Sequence, residues 1–189
     1  KALENSEVGI ICVGTPDMPN GDVNLNYFKS VLDKVSKYLQ NNNKDYTLLI
    51  RSTIPPGTTR ELVYNIFENN KNKIQIAFLP EFLREGSAIY DFFNPSLKVI
   101  GCEKDFPISY MDKVFPEVIG KWYVTEYETA ESIKYISNSW HALKIVFTNE
   151  IASVLKEYNL SSEKSMELFC QDKVLNISPH YMKPGFAYG

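Results

Sequence analysis

The sequence has 189 residues, of which 44% are hydrophobic and 23% charged, a composition typical of a folded globular protein with its own core. Twenty basic residues against 23 acidic ones, with a net charge of -3, exclude a nucleic-acid-binding protein. No apolar run reaches the roughly 20 residues of a membrane span, so we expect no membrane association.

The cysteines and the chain ends give two further expectations. Cys12, Cys102 and Cys170 lie far apart, which predicts neither a disulfide framework nor a metal site and is typical of a cytoplasmic protein. The sequence begins at Lys1 without a methionine and ends in loop-like residues. We therefore expect it to be a piece of a longer protein.

Short apolar strands alternate with amphipathic helices over the first two thirds of the chain. The predicted strands are 8–14, 46–50, 74–79, 97–101 and 122–124. The predicted helices run from a cap at Asp22 or Asn24 to about 41, from 55 to about 69, and over 106–115, whereas 82–95 is predicted as an irregular loop. This alternation predicts a parallel sheet with right-handed crossovers.

The last third of the sequence is predicted to be helical. Over residues 129–158, apolar side chains recur every three or four residues and no Gly or Pro interrupts them. These roughly 30 residues correspond to about 45 Å of helix, which is long for a small domain. We expect the helix to bridge two domains or to pack against a partner chain, and Ser161 to begin a further helix that ends near 172.

Polar residues that follow the strands are the first candidates for a site, because ligands bind at the carboxyl ends of strands in open parallel sheets. These residues are Thr15, Ser52, Thr53 and Glu81. Thr53 precedes a predicted helix, so it either caps that helix or adjoins an anion bound at its first amides, such as a pyrophosphate. Glu81 is either a general base or a solvated loop acid.

The long helix carries the second set of candidates. Lys134, Asn138 and His141 are spaced at i, i+4 and i+7, so they share one stripe of the helix. A lysine and an asparagine one turn apart can hold an alcohol or carbonyl oxygen at the edge of a sheet. A plain solvated face is the alternative, and His141 alone is equally compatible with a structural role.

Six motifs follow one another in an order that resembles the UDP-glucose/GDP-mannose 6-dehydrogenases, a family of sugar-nucleotide dehydrogenases. They are ICVGTP at 11–16, RSTIPPGTT at 51–59, PEFLREGS at 80–87, KYISN at 134–138, FTNE at 147–150 and KPGFAYG at 183–189. The resemblance covers nearly the whole chain. Trp140, His141 and residues 170–182 are more similar to the GDP-mannose branch.

The resemblance implies an NAD-dependent oxidation of the sugar C6 alcohol to a carboxylate in two hydride transfers. A cysteine thiolate captures the aldehyde as a thiohemiacetal, and water later cleaves the resulting thioester. The substrate is GDP-mannose or UDP-glucose. The implied fold is α/β: residues 1–127 form the C-terminal part of a Rossmann-like NAD-binding domain, and 128–189 form a central helix and the start of the middle domain. The central helix is expected to form a homodimer.

The resemblance also implies roles for individual residues. Lys134 stabilises oxyanions at C6, and Asn138 holds the same oxygen or a bound water. Glu81 assists thioester hydrolysis as an acid or base, and Thr53 supports a water. The residues implied to lie along the cofactor are Thr15, Thr53 and Glu85. The residues implied to face the sugar nucleotide are Phe82, Leu83, Lys134, Asn138, His141, Tyr181 and Lys183.

The sequence departs from the family pattern in ways that leave alternatives open. The family's cysteine is expected just beyond Gly189, and no Gly-x-Gly-x-x-Gly phosphate loop occurs, so we expect the 189 residues alone to be inactive. Lys183 stands where the GDP-mannose branch often has arginine, and Leu79 where the family usually has asparagine, so the nucleotide remains open. A β-hydroxyacid dehydrogenase and a non-catalytic sugar-nucleotide-binding or dimerisation module are the two other interpretations.

Overall fold

The computed structural model describes residues 2–67 and 73–174. Tyr181 and Lys183, two predicted substrate contacts, lie outside the described residues. So does the predicted end of the second helix near residue 69. The chain forms two compact units, Lys1–Ser137 and Asn138–Gly189.

Five strands form one sheet in the first unit, which confirms the α/β class and the five predicted strands, although the first strand ends at Ile11 and not at residue 14. They are β1 Val8–Ile11, β2 Tyr46–Ile50, β3 Ile74–Phe78, β4 Lys98–Cys102 and β5 Trp122–Thr125, and they lie side by side in that order. A short 3₁₀ turn, Leu3–Asn5, precedes β1.

The expectation of an entirely parallel sheet is wrong at one position. β1 pairs with β2, β2 with β3 and β4 with β5 in parallel, but β3 and β4 are antiparallel, with Phe78 opposite Gly101. A parallel connection needs a crossover, usually a helix of substantial length. The helix between β3 and β4 has only six residues, and the chain folds back at the carboxyl end of β3 instead of crossing the sheet.

The helices largely follow the prediction. They are α1 Asn26–Asn42, a π-helical segment Thr59–Val63 that continues as α2 Tyr64–Phe67, α3 Ala88–Phe93, α4 Ile108–Val114, α5 Tyr127–Glu157 and α6 Ser162–Phe169. The long helix α5 is confirmed, and the Ser161 hydroxyl accepts the Lys164 amide at the start of α6, as expected of a cap. Among the described residues, no helix combines the length and apolarity needed to cross a bilayer.

Two helical predictions are wrong in detail. Residues 82–95 are not wholly irregular, because α3 forms within them. The second helix begins at Thr59 rather than near residue 55: Gly57 has a positive φ of +92°, and the Thr58 hydroxyl bonds back to the Pro55 carbonyl at 2.6 Å. This turn keeps the two prolines outside the helix.

The sheet is covered on both faces within the first unit. Because successive strand residues point to opposite faces, Leu48 and Ile50 enter one core cluster while Leu49 enters the other. The first cluster packs against α1, α2 and the start of α5, and the second against α4. This rigid layer fixes the strand ends at which the candidate site lies.

Candidate functional site

The first turns of α5 are fixed against the sheet by close contacts. Tyr127 is fully buried, and its hydroxyl donates to the Ile76 carbonyl at 2.9 Å. A Cβ on Gly101 of β4 would lie 2.8 Å from the Ala130 Cβ and 3.0 Å from the Tyr127 Cα, so only glycine allows the helix this near. These contacts fix the position of the next turn of α5 relative to the carboxyl ends of the strands.

A buried carboxylate extends this anchoring to the helix that follows β2. Glu131 is fully buried, and its two oxygens accept the main-chain amides of Gly57 at 2.5 Å and Thr59 at 2.8 Å. Burial raises the pKa of the Glu131 carboxyl, while the hydrogen bonds from Thr59 and Gly57 act against that rise. The two amides are thus occupied by a side chain of this chain.

Glu131 corrects one part of the sequence analysis. The amides of Gly57 and Thr59 within RSTIPPGTT do not form an open anion site, because the Glu131 carboxylate accepts their hydrogen bonds. Nor does Thr53 cap the helix, since the helix begins at Thr59 with Thr58 at its cap position. Thr53 instead takes part in the strand edge: its carbonyl accepts the Thr15 hydroxyl at 2.6 Å.

The ends of β1 and β2 are joined by several such bonds. The Ser52 hydroxyl donates to the Val13 carbonyl at 2.7 Å, and the amides of Arg51 and Ser52 both donate to the Ile11 carbonyl. The structure therefore brings Thr15 and Thr53 together, both half-buried. Cys12 lies at the same ends of the strands, where partial burial raises the pKa of its thiol.

Lys134 and Glu81 meet at the carboxyl end of β3. The Lys134 ammonium donates a hydrogen bond to the Glu81 carbonyl and lies 5.8 Å from the centre of the Phe82 ring. Burial lowers the pKa of Lys134, the Glu81 carboxylate opposes that shift, and the charge of Arg51 adds to it. Arg51 pairs with Glu81 as well, at 3.4 Å between Nη2 and Oε2. The cluster brings two cations and a carboxylate together at the carboxyl ends of the strands.

The loop that carries Glu81, Phe82 and Leu83 is held by one acid of α3. Asp91 is buried and accepts four hydrogen bonds of 2.6–3.0 Å: three from the amide, Nε and Nη2 of Arg84 and one from the Ser87 hydroxyl. The Arg84 guanidinium holds the pKa of Asp91 well below its usual range. Phe82 and Leu83 are half-buried, while Glu85 is exposed.

The remaining predicted residues belong to the second unit or lie beyond the described range. Asn138 and His141 are exposed positions of α5 in the second unit, whereas Lys134 belongs to the first. Among the described residues, no group of three His, Cys, Asp or Glu side chains could hold a metal ion.

Sequence reasoning missed three residues of the site: Arg51, Asp91 and Glu131. Arg51 directly follows a strand, the position at which Thr15 and Glu81 were singled out, and could have been found by the same rule. Glu131 precedes Lys134 by three residues on the inward side of an amphipathic helix, where an acid is unusual. For Asp91, only the fold of the loop reveals the partner.

Comparison with known proteins assigns the chain to a family. Residues 1–119 match the NAD binding domain of the UDP-glucose/GDP-mannose dehydrogenase family, and residues 128–189 match its central domain. The chain belongs to this family. It is 39% identical over 194 residues to the GDP-mannose 6-dehydrogenase of Pseudomonas putida, an alignment that covers 100% of this chain and 44% of that protein.

Two solved structures are similar to the fold. A ternary complex of GDP-mannose dehydrogenase from Pseudomonas aeruginosa is 35% identical with a TM-score of 0.92, covering 100% of this chain and 44% of that chain. A UDP-glucose dehydrogenase from Pyrobaculum islandicum is 34% identical with a TM-score of 0.84, covering 91% and 40%. The chain thus spans less than half the length of the relatives it matches.

Proposed function

We propose that the protein oxidises the C6 alcohol of a sugar nucleotide to the carboxylate, with GDP-mannose as the first candidate and UDP-glucose as the second. The observation that carries the proposal is the meeting of Lys134 with Glu81 at the end of β3. An ammonium held at an open strand edge suits an oxygen that becomes negative during oxidation. The 39% identity to a GDP-mannose 6-dehydrogenase over 100% of this chain favours the first substrate.

The residues present fit NAD at this edge. The Thr15 hydroxyl donates a hydrogen bond to the Thr53 carbonyl at the ends of β1 and β2, and Glu85, in the loop that begins at Glu81, offers an exposed carboxylate. Because Glu131 occupies the amides of Gly57 and Thr59, the pyrophosphate has to bind elsewhere. NAD, when bound, accepts one hydride in each of the two oxidations.

Lys134 supplies the positive charge for both oxidations. Burial lowers the pKa of Lys134, so its proton is held less tightly than that of an exposed lysine. We assign it to the C6 oxygen, with Asn138 on the same oxygen or on a bound water. The backbone of Phe82 and Leu83, together with His141, Tyr181 and Lys183, is assigned to the sugar nucleotide.

Glu81 serves the hydrolysis of the thioester. Its side chain is 40% exposed, which leaves it accessible to water, and Thr53 supports that water at the neighbouring strand end. The cysteine that forms the thioester is proposed to follow Gly189 in the gene product. The phosphate-binding half of the sheet is proposed to precede β1, where Ile10 is 44% exposed although the strand is apolar.

The domain organisation and assembly form the last part of the proposal. We place the NAD-binding domain at 1–127 and the start of the middle domain at 128–189, in a cytoplasmic protein. The central helix α5 is proposed to form a homodimer. Its outer residues Leu143, Ile145, Val146 and Phe147 are 45–65% exposed, more apolar surface than one helix commonly leaves in water.

The test is NADH formation by the complete gene product with GDP-mannose and UDP-glucose offered separately. We expect turnover with GDP-mannose and a kcat/KM at least about tenfold lower with UDP-glucose, the loss of roughly 1.4 kcal/mol of base or phosphate recognition. Faster turnover with UDP-glucose would reverse the assignment of substrate. A β-hydroxyacid dehydrogenase would use neither sugar nucleotide, and a non-catalytic module would bind one without forming NADH.

A further inference from the structure

Arg51 is the charged residue of the site cluster to which no role has yet been given. It follows β2 directly, and its amide donates to the Ile11 carbonyl at 2.8 Å, so its backbone is part of the strand edge. Its side chain is only 14% exposed. A guanidinium is rarely buried to this extent unless it is paired.

The surroundings of Arg51 hold its guanidinium in one place. The guanidinium carbon lies 5.6 Å from the centre of the Phe92 ring of α3, within the range of a cation–π contact. Arg51 also lines a small cavity of about 50 Å³ with Phe82, Leu83 and Phe92. The arginine is therefore the fixed member of any pair that it makes.

Glu81 is the movable member. Its side chain is 40% exposed, and its Oε2 lies 3.4 Å from Nη2 of Arg51. Glu81 lies on a loop and its side chain is more exposed than that of Arg51, which packs against Phe92. The ion pair therefore restricts the glutamate side chain more than it restricts the arginine. An exposed ion pair between two mobile side chains would add little order, but here one partner is already immobile.

We propose that Arg51 is a positioning residue that orients the Glu81 carboxylate for hydrolysis of the thioester. This inference rests on the proposed function and adds a residue to it. In the step concerned, Glu81 takes a proton from water while the water oxygen forms a bond to the thioester carbon. The C–S bond then breaks, its electron pair leaves with the sulfur as a thiolate, and no oxidation state changes.

The contact geometry suits this task. The pair uses Oε2, which leaves Oε1 to receive the proton of the water. Lys134 approaches Glu81 through the main-chain carbonyl instead of the carboxylate. Arg51 and Lys134 therefore act on different atoms of the same residue, and loss of Arg51 releases the carboxylate while the Lys134 contact persists.

The test separates hydride transfer from hydrolysis in the complete gene product. Arg51→Met keeps the length and packing of the side chain but removes its charge, and Arg51→Lys keeps the charge. In rapid-mixing experiments with GDP-mannose, we expect Arg51→Met to form NADH in a burst at close to the wild-type rate. Its steady-state rate should fall roughly 10- to 100-fold, the scale of a misplaced group, while an enzyme-bound thioester accumulates in the mass spectrum.

The matched control is Arg60→Met. Arg60 also pairs with glutamates, Glu103 at 2.9 Å and Glu128 at 2.5 Å, but its side chain is 48% exposed and belongs to another cluster. We expect this variant to keep both phases. Arg51→Lys should recover most of the steady-state rate, and Arg51→Met combined with Glu81→Gln should be no slower than Glu81→Gln alone.

Two kinetic results overturn the inference: a burst in Arg51→Met that falls in proportion to the steady-state rate, or a steady-state rate within twofold of wild type. If the wild type forms no NADH with any sugar nucleotide, the proposed function fails on its own. The crystal structure of Arg51→Met then decides the placement of Glu81. A displaced or disordered carboxylate supports the positioning role, and an unchanged carboxylate contradicts it.

Discussion

The two units of the chain differ in how far they bury their large apolar side chains. In Lys1–Ser137, core clusters cover both faces of the sheet, and large residues such as Phe28, Phe78 and Tyr127 are at most 1% exposed. In Asn138–Gly189, the described residues leave Leu143 55% and Leu168 66% exposed.

This difference in burial distinguishes a unit that completes its own core from a unit that leaves apolar side chains exposed. The first unit places Lys134, Glu81, Arg51 and the strand-end threonines with bonds that begin and end within the unit. The described part of the second unit leaves apolar side chains exposed, and we propose that a partner chain covers them. We therefore expect substitutions in the first unit to act on chemistry and folding, and those in the second to act on assembly.

The largest effect is expected from Lys134→Ala. Removing a charge that stabilises an oxyanion should lower kcat by at least about 100-fold, measured as NADH formation by the complete gene product. Lys37→Ala, on the exposed side of α1, is the control and should keep wild-type turnover. A Lys134→Ala enzyme with near wild-type kcat would remove Lys134 from the mechanism and weaken the assignment of chemistry to the first unit.

Glu131→Ala should show how far the first unit depends on its internal carboxylate. The main-chain amides of Gly57 and Thr59 lose their acceptor, at roughly 1–3 kcal/mol each, so we expect the free energy of unfolding to fall by about 2–6 kcal/mol in urea titrations. Glu128→Ala, one turn earlier and paired with half-exposed Arg60, should cost less than about 1 kcal/mol. Equal losses of stability in the two variants would contradict a special stabilising role for the hydrogen bonds of Glu131.

Phe147→Asp tests the apolar surface of the second unit. A charge in the centre of an interface should weaken a homodimer by about 2 kcal/mol, or roughly 30-fold in Kd, seen as monomer in light scattering during size exclusion. Ile89→Asp is the control, because Ile89 is 79% exposed but lies in the first unit. A shift to monomer in the Ile89→Asp control alone would place the interface on the first unit and contradict the proposal.

The smallest effect expected is a pH dependence at Asp91. Because Arg84 lowers the pKa of Asp91 in the folded state, its stabilising contribution is present above the unfolded pKa of about 3.9 and is lost as the pH falls below it. The difference in Tm between wild type and Asp91→Asn should thus be constant from pH 7 to 5 and shrink toward pH 3. A difference that grows on acidification would contradict the pairing.

The fold was predictable where patterns were local and strong. Five strands, the long helix α5 and the Ser161 cap follow from apolar runs, period and cap chemistry. The antiparallel β3–β4 pair and the short helix α3 did not follow, because strand–helix alternation does not show that the segment between β3 and β4 is too short to cross the sheet.

The candidate site was predictable only in part for the same reason. Strand-end position pointed to Thr15, Thr53 and Glu81, and helical spacing pointed to Lys134, and the structure brings these into two adjoining contacts. Glu131 escaped notice because the amides it occupies come from a segment more than 70 residues earlier. Such long-range partners follow from tertiary packing, which no local window contains.

The most direct test of the account is the number of NADH molecules formed per sugar nucleotide consumed by the complete gene product. Limiting GDP-mannose should yield two NADH and one uronic acid per sugar nucleotide consumed, because we propose that one site oxidises the C6 carbon from alcohol to carboxylate. One NADH per sugar, with release of an aldehyde, would contradict the proposed pair of oxidations and the hydrolytic role of Glu81 with it.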